Sequence, residues 1–581
     1  MQRWIRGAAG LVLFGILAVI LSSSEPAATS VAGLPDPRGE DWPDRMLAHM
    51  TLEEKVGQML MVGFHNGDAP AYEMNRQALR LVQKYHVGGM ILFDRNIESP
   101  RQVTRLTRQL QGHALGSSPG IPLLISVDQE GGKVSRFDEG VTPFPGNMAL
   151  GATRDPALAF QAGKITGAEL RSMGIHMNLA PVMDVNNNAA NPVIGVRSFS
   201  GDPELTAVMG LAQIRGYHEG QVLTAVKHFP GHGDTDTDSH LDLPTVNHSM
   251  KRLHEVELVP FRQAIQRGVD AVMSAHITFP AIEGKGGIPG TLSHRVLTGL
   301  LRERMGYQGV IITDDMEMGA IAEHFGSAKA AVRAVQAGAD LILISHDEVV
   351  QQKAMAALVN AVRQGTIPEK RIDQSVRRIL QLKQQRLGAH SIVREPTPKS
   401  LPAEKNCSRI AEEIAERAVT LVQNPQNILP LKSEKHRRLL VIAPVRGELL
   451  AQAFRESGFQ AASREMSLDP DPKEVHLLIE AGKKVDAVIV AVSQSQLHKG
   501  QQKAVRGIYS TRKPVVVLGL DTPYDVLGLP KEVPYLALYS AHPASLREAA
   551  RIVAGEAEAA GRLPVEIPGR YPMGYGLSLK K

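Results

Sequence analysis

The stretch from Lys227 to His240, reading KHFPGHGDTDTDSH, concentrates more proton-active and metal-capable groups than its surroundings. Three chemistries compete for it. Asp234, Asp236 and Asp238 alternate like the start of an EF-hand calcium loop. Such a loop needs Gly at its sixth position and Glu at its twelfth, where this chain has Ser239 and Thr245. Zinc held by His228, His232 and His240 fits no common ligand spacing and leaves the carboxylates without a task. The third chemistry is proton transfer. Asp238 stands two residues from His240, where it can orient the ring and hold its tautomer. An imidazole that titrates near neutrality suits a group that is acid in one step and base in the next.

More ionisable groups fall at the ends of apolar runs. Runs at residues 123–128, 176–185, 222–228, 271–276, 310–314 and 341–345 end in, contain or precede Asp128, Asp184, Lys227-His228, His276, Asp314-Asp315 and His346-Asp347. Charged groups are costly to bury, and six in register at apolar ends point to one functional rim. The runs themselves, with two more at 56–64 and 88–93, are rich in Val, Ile, Leu and Met. Amphipathic stretches such as 156–173 and 327–337 separate them. Continuous apolar runs alternating with helices predict buried parallel strands. Eight such units predict a (β/α)8 TIM-like barrel rather than an open doubly wound sheet. In that fold the catalytic groups sit at the C-terminal strand ends, where these residues fall.

At 581 residues the chain is too long for one core. The barrel is expected at residues 40–388, a linker at 389–404, and a smaller α/β sandwich domain at 405–581. The second domain's expected strands, 439–443, 487–492, 515–520 and 535–539, predict a parallel sheet flanked by helices. The net charge of +5 is mild and aromatic content is 4%, with no dominant basic run, so nucleic acid is not an expected partner. Weak attraction to an anionic wall or membrane surface is compatible with that charge. Residues 1–30 run basic (Arg3, Arg6), then uncharged and apolar (Ala8 to Leu21), then small and polar. That order predicts a cleaved signal peptide, or failing cleavage a membrane anchor, and an extracytoplasmic protein. The single cysteine, Cys407, excludes an intrachain disulfide.

The dyad loop, with Asp238-Ser-His240 and Leu243-Pro244, resembles the signature of family 3 glycoside hydrolases of the β-N-acetylglucosaminidase branch. Five further stretches agree: Gly89-Met-Ile-Leu-Phe93, Val127-Asp-Gln-Glu-Gly-Gly132, Asn178-Leu-Ala-Pro-Val-Met-Asp184, Gly195-Val-Arg-Ser-Phe199 and Val310-Ile-Ile-Thr-Asp-Asp315. The resemblance covers residues 40 to 385 strongly. It extends weakly into the second domain through Ala418-Val-Thr-Leu-Val, Leu429-Pro-Leu431 and Met573-Gly-Tyr-Gly-Leu-Ser578.

The resemblance implies a retaining enzyme that removes terminal β-linked N-acetylglucosamine (GlcNAc) from glycans or muropeptides. It implies Asp314 as nucleophile, His240 oriented by Asp238 as acid/base, and Asp128, Arg197, Lys227 and His228 as hands on the sugar hydroxyls. Retaining glycosidases generally use a second carboxylic acid where this branch has a histidine. A neutral or cationic group tolerates a nearby anionic nucleophile better. Carboxylate and imidazole suffice without a cofactor or metal. A phosphorylase is the nearest alternative, followed by a β-glucosidase and a sugar-binding protein with a dead site. Asp315 is expected to serve the following helix as a cap or hydrogen-bond acceptor, His232 and Asp234 to shape the loop, and His276 to line the pocket. Lys133 replaces the family's usual Arg after Gly-Gly, a change that matters at bidentate contacts.

Overall fold

Every apolar run of the first half yields a short strand whose residues are all buried. These are β1 Leu60–Val62, β2 Gly89–Leu92, β3 Leu124–Val127, β4 Met177–Asn178, β5 Leu223–Phe229, β6 Ala271–Ser274, β7 Val310–Ile312 and β8 Ile342–Ile344. The computed structural model describes residues 39–137, 141–284, 287–391 and 404–579. The expected signal or anchor at residues 1–30 lies outside them. All neighbouring strands pair in parallel in the order β7-β6-β5-β4-β3-β2-β1-β8, and a parallel bridge from Ile312 to Leu341 completes the ring. This is the expected (β/α)8 barrel.

Local sequence sets the helices between the strands. Asp155 and Asp202 each accept backbone N–H groups just ahead of Pro156–Ser172 and Pro203–Glu219. An acidic cap followed by proline at the first position is a strong helix start. These two helices pack against each other through Gly163 and Gly216, where a Cβ would collide with the Gln213 and Phe160 carbonyls.

Two expected strands are shorter than their apolar runs. Val56 to Gln58 belong to the helix Leu52–Gln58, which starts with a reciprocal capping box between Thr51 and Glu54. In 176–185 regular pairing stops at Asn178, because Pro181 has no N–H to give a ladder. The segment rejoins β5 only at the bridge from Val182 to Lys227. Asp184, two residues past that bridge, accepts the backbone N–H of His228 near the end of β5.

The second half contains β9 Thr420–Gln423, β10 Arg438–Ala443, β11 Gln460–Glu465, β12 Ala487–Val492, β13 Val515–Gly519 and β14 Tyr535–Ala537, in the order β11-β10-β12-β13-β14-β9. The expected all-parallel sheet is corrected here, because β9 pairs antiparallel with β14. β11 escaped notice because it is an edge strand, mostly exposed and polar. Helix also takes both ends of the expected linker: Glu369–Ser391 runs past 388 and Glu404–Ala418 begins at its last residue.

One apolar cluster spans the two halves. Phe144, Met148, Leu150 and Phe199 of the barrel pack in one cluster with Val488, Val517, Tyr535 and Leu563. Arg417 pairs with Asp155 at 2.7 Å, and Gly201 donates to the Pro564 carbonyl at 3.0 Å. Among the described residues, no helix is long and apolar enough to cross a membrane.

Candidate active site

The C-terminal strand ends surround a cavity of about 420 Å3. Asp128, Arg197, Lys227, His228, His240 and Asp314 all line it. Asp238 stands just behind His240. All seven candidate site residues are therefore gathered at one place, and the described residues lining the cavity all belong to the barrel half.

The floor is a closed charge network. Lys227 Nζ lies 2.7 Å from both Asp128 Oδ1 and Glu130 Oε1. Arg197 clasps Glu130 with two parallel bonds, Nε to Oε2 at 2.9 Å and Nη2 to Oε1 at 2.8 Å. Burial alone would raise the Glu130 pKa, but Arg197 and Lys227 hold it far below the usual range. Burial likewise works against the Lys227 charge, and Asp128 and Glu130 outweigh it, so its pKa is raised. The network still has donors to spare. Lys227 has three N–H bonds and Arg197 five, and the pairing uses only some of them.

His228 is held from behind. Its Nδ1 lies 2.7 Å from Asp184 Oδ2, so Nδ1 carries a proton, and Nε2 points toward Arg197 at 3.4 Å. Asp184 is fully buried and also accepts the backbone N–H groups of His228 and His232. Burial raises its pKa and these partners, His228 foremost, bring it below normal.

Asp314 follows β7 by two residues. Burial would lift its pKa, but the fields of His228 and His276 and the Asp315 N–H, 2.8 Å from Oδ1, hold it below the carboxylate norm. It is thus an ionised, partly buried carboxylate at neutral pH. His276, expected to line the cavity, sits behind it instead. Its Nε2 donates to the Asp315 carbonyl at 2.9 Å and its Nδ1 meets the Thr291 hydroxyl at 2.8 Å.

His240 is the opposite case, with 59% of its side chain exposed. Asp238 Oδ1 accepts both its ring Nδ1–H and its backbone N–H at 2.8 Å. The neutral ring therefore keeps an unprotonated Nε2, the arrangement expected of an acid/base histidine. The loop is anchored at both ends. The ring of His232 bridges Thr235 and Ser239 at 2.9 Å each, and Gly319 donates to the His240 carbonyl at 3.1 Å. Gly233 packs so tightly on the Val185 carbonyl that a Cβ there would collide. Asp234 accepts from His248 at 2.7 Å. His232 and Asp234 thus have the loop-shaping contacts expected of them, though His232 also reaches the cavity wall.

Asp315 is more than a helix accessory. It accepts the Glu317 N–H at 3.1 Å, but the short helix Gly319–Ala322 has Met318 at its cap position. The Asp315 carboxyl lines the cavity, 3.4 Å from His346 Nε2. Burial and the Glu317 carboxylate push its pKa up to about 7.

Among the lining residues that were not foreseen are Glu130 and Arg136. Glu130 lies two positions past Asp128 on the turn after β3. The rule of ionisable groups at strand ends could have found it had the window reached two residues further. Arg136 stacks on Phe93 at 5.4 Å and lies 3.7 Å from Asp128 Oδ2. No strand end marks it, because a hairpin bridged at Gly131 and Val134 carries it back to the rim.

Comparison with known proteins places this geometry. Residues 51–382 match the family described as the glycosyl hydrolase family 3 N terminal domain. The chain is 33% identical over 480 residues to beta-hexosaminidase A of Pseudoalteromonas piscicida, covering 76% of this chain and 79% of that one. A solved glycoside hydrolase family 3 beta-N-acetylglucosaminidase from Paenibacillus sp. str. FPU-7 superposes with a TM-score of 0.83 at 40% identity, over 89% of this chain and 99% of that one. A beta-glucoside phosphorylase superposes with a TM-score of 0.76 at 22% identity, over 92% of this chain and 98% of that one, a likeness of fold alone.

Proposed function

The chain belongs to glycosyl hydrolase family 3, and on that premise we propose that it is a retaining exo-β-N-acetylglucosaminidase acting through a covalent glycosyl-enzyme intermediate. The observation that carries this reading is the pairing of a partly buried, ionised Asp314 with an exposed Asp238–His240 dyad on the rim of the same cavity. A double displacement needs those two groups.

In the first step the Asp314 carboxylate attacks the anomeric carbon. His240, protonated on both nitrogens, keeps Nδ1–H on Asp238 and gives its Nε2 proton to the departing glycosidic oxygen. In the second step neutral Nε2 takes a proton from water, whose oxygen attacks the anomeric carbon and frees Asp314. Asp128, Arg197, Lys227 and His228 hold the hydroxyls of the bound sugar. Their mutual pairing orients them before the sugar arrives, so binding does not have to order them.

The names of the hexosaminidase and β-N-acetylglucosaminidase relatives support GlcNAc as the sugar released. We further read the natural source as peptidoglycan fragments and the protein as extracytoplasmic, on the strength of the Ala8 to Leu21 run. Recovery of the protein from the cytosol alone would defeat that placement. The activity is tested with a chromogenic β-N-acetylglucosaminide, with and without phosphate. Turnover independent of phosphate, abolished in Asp314→Ala, is the expected result. Formation of a sugar 1-phosphate would make the chain a phosphorylase, and an active Asp314→Ala enzyme would remove the nucleophile assignment.

A further inference from the structure

A second cavity, of about 520 Å3, lies between the barrel and the second sheet. It opens past the C-terminal ends of four parallel strands: Val445 and Arg446 follow β10, Ser493 follows β12, Leu520 and Asp521 follow β13, and Tyr539 follows β14. From β10 the chain goes to β11 on one side and then returns to β12 on the other, so the strand order reverses between β10 and β12. Open α/β sheets bind ligands in the crevice at such a reversal.

The lining indicates what would bind. Phe137 and Phe144 form a buried apolar wall on the barrel side. Ser493 and Ser540 add hydroxyl groups. Lys133 and Arg446 are exposed cations at the mouth. Arg446 uses one N–H on the Ala541 carbonyl at 3.1 Å. Helices Gly447–Glu456 and Pro543–Ala554 start at the cavity, with the positive ends of their dipoles toward it. The opposing charge is Asp521, which Lys133 Nζ faces at 3.6 Å. His542 adds no charge at neutral pH, since burial and the neighbouring Arg446 and Arg547 bring its pKa down to about 4.

We propose that this cavity is a second binding site, separate from the catalytic one, for a carboxylate-bearing saccharide, with Arg446 as its principal anion contact. The saccharide part rests on the activity proposed above. The carboxylate part rests on the charges alone. The site also accounts for Lys133, whose side chain meets the second domain. The two cavities share a wall. The turn after β3 gives Glu130, Val134 and Arg136 to the first and Gly132, Lys133 and Ser135 to the second.

The test uses the full chain, with N-acetylmuramic acid as probe and GlcNAc, its counterpart without the carboxylate, saturating the first cavity. Calorimetry should show one equivalent of N-acetylmuramic acid still binding. Arg446→Gln should weaken it about tenfold, the loss of a charge-assisted bond. The same variant should keep its kcat and KM on the chromogenic substrate. Absence of binding under saturating GlcNAc, or binding undiminished in Arg446→Gln, would overturn the proposal. The variant should likewise keep its KM for the GlcNAc–N-acetylmuramic acid disaccharide; a raised KM would make the cavity part of the catalytic site and overturn the separation. A protein that binds the probe through Arg446 yet hydrolyses no glucosaminide keeps this site and loses the activity, so the two failures are distinguishable.

Discussion

The floor of the catalytic cavity and the dyad loop above it solve opposite problems. Lys227, Glu130 and Arg197 are almost wholly withdrawn from water, and each charge faces an opposite one at 2.7 to 2.9 Å. His240 is more than half exposed and rests on one carboxylate. A buried network of this kind holds a fixed geometry and tolerates no missing member. An exposed imidazole gives up such rigidity and keeps its freedom to gain and lose a proton. The comparison teaches that removing a floor charge should harm fold and function together, whereas removing the acid/base should harm function alone.

The sharpest separation comes from His240→Ala. Its kcat should fall by about 10^2- to 10^4-fold, the worth of a general acid/base, while its melting temperature stays at the wild-type value. A variant that also melts early would show that the loop depends on the imidazole. Glu130→Gln should do the reverse first, because it takes the bidentate carboxylate from Arg197 and one of the two carboxylates from Lys227. Loss of one partner of a buried pair costs about 3–5 kcal/mol, so denaturant titration should register it before any kinetics are run. Unchanged stability would mean that the floor tolerates an unpaired charge and would dissolve the contrast.

Asp238→Asn is milder. The carboxylate is partly solvated, so its bond to His240 has the ordinary worth of about 1 kcal/mol, or several-fold in kcat. The pH–rate profile should shift with it, and a change in KM alone would argue against an orienting role.

The effect at Asp315 is on stability rather than on rate, and its sign follows from its pKa. An unfolded Asp ionises near pH 4, the folded one at about 7. Between those values the native state holds a proton that the unfolded state has lost. Stability therefore falls as pH rises through that window and is level above it. Asp315→Asn should gain on the wild type in melting temperature from about pH 4 to about pH 7. Parallel curves for the two proteins would show the carboxyl to be ionised throughout.

Much of this was legible beforehand, for identifiable reasons. A parallel strand buried on both faces must be continuously apolar, so eight runs marked eight strands. A charge at the end of such a run stands out against it, which is why Asp128, Lys227, His228 and Asp314 could be named. Edge strand β11 and antiparallel β9 carry no such mark. Glu130 and Arg136 hid in a turn whose return path is invisible in one dimension. The expectation for His276 failed because a strand end does not say which way its last side chain points.

The chain by itself thus determined the barrel, the dyad spacing and the set of groups at the rim, because these depend on patterns local to a few residues. Tertiary structure alone decided which of those groups are charged, which nitrogen of His228 carries its proton, and which cavity each side of the turn after β3 serves. Those properties depend on burial and on partners tens to hundreds of residues away, such as Lys227 with Asp128 or Lys133 with Asp521. No local pattern encodes them.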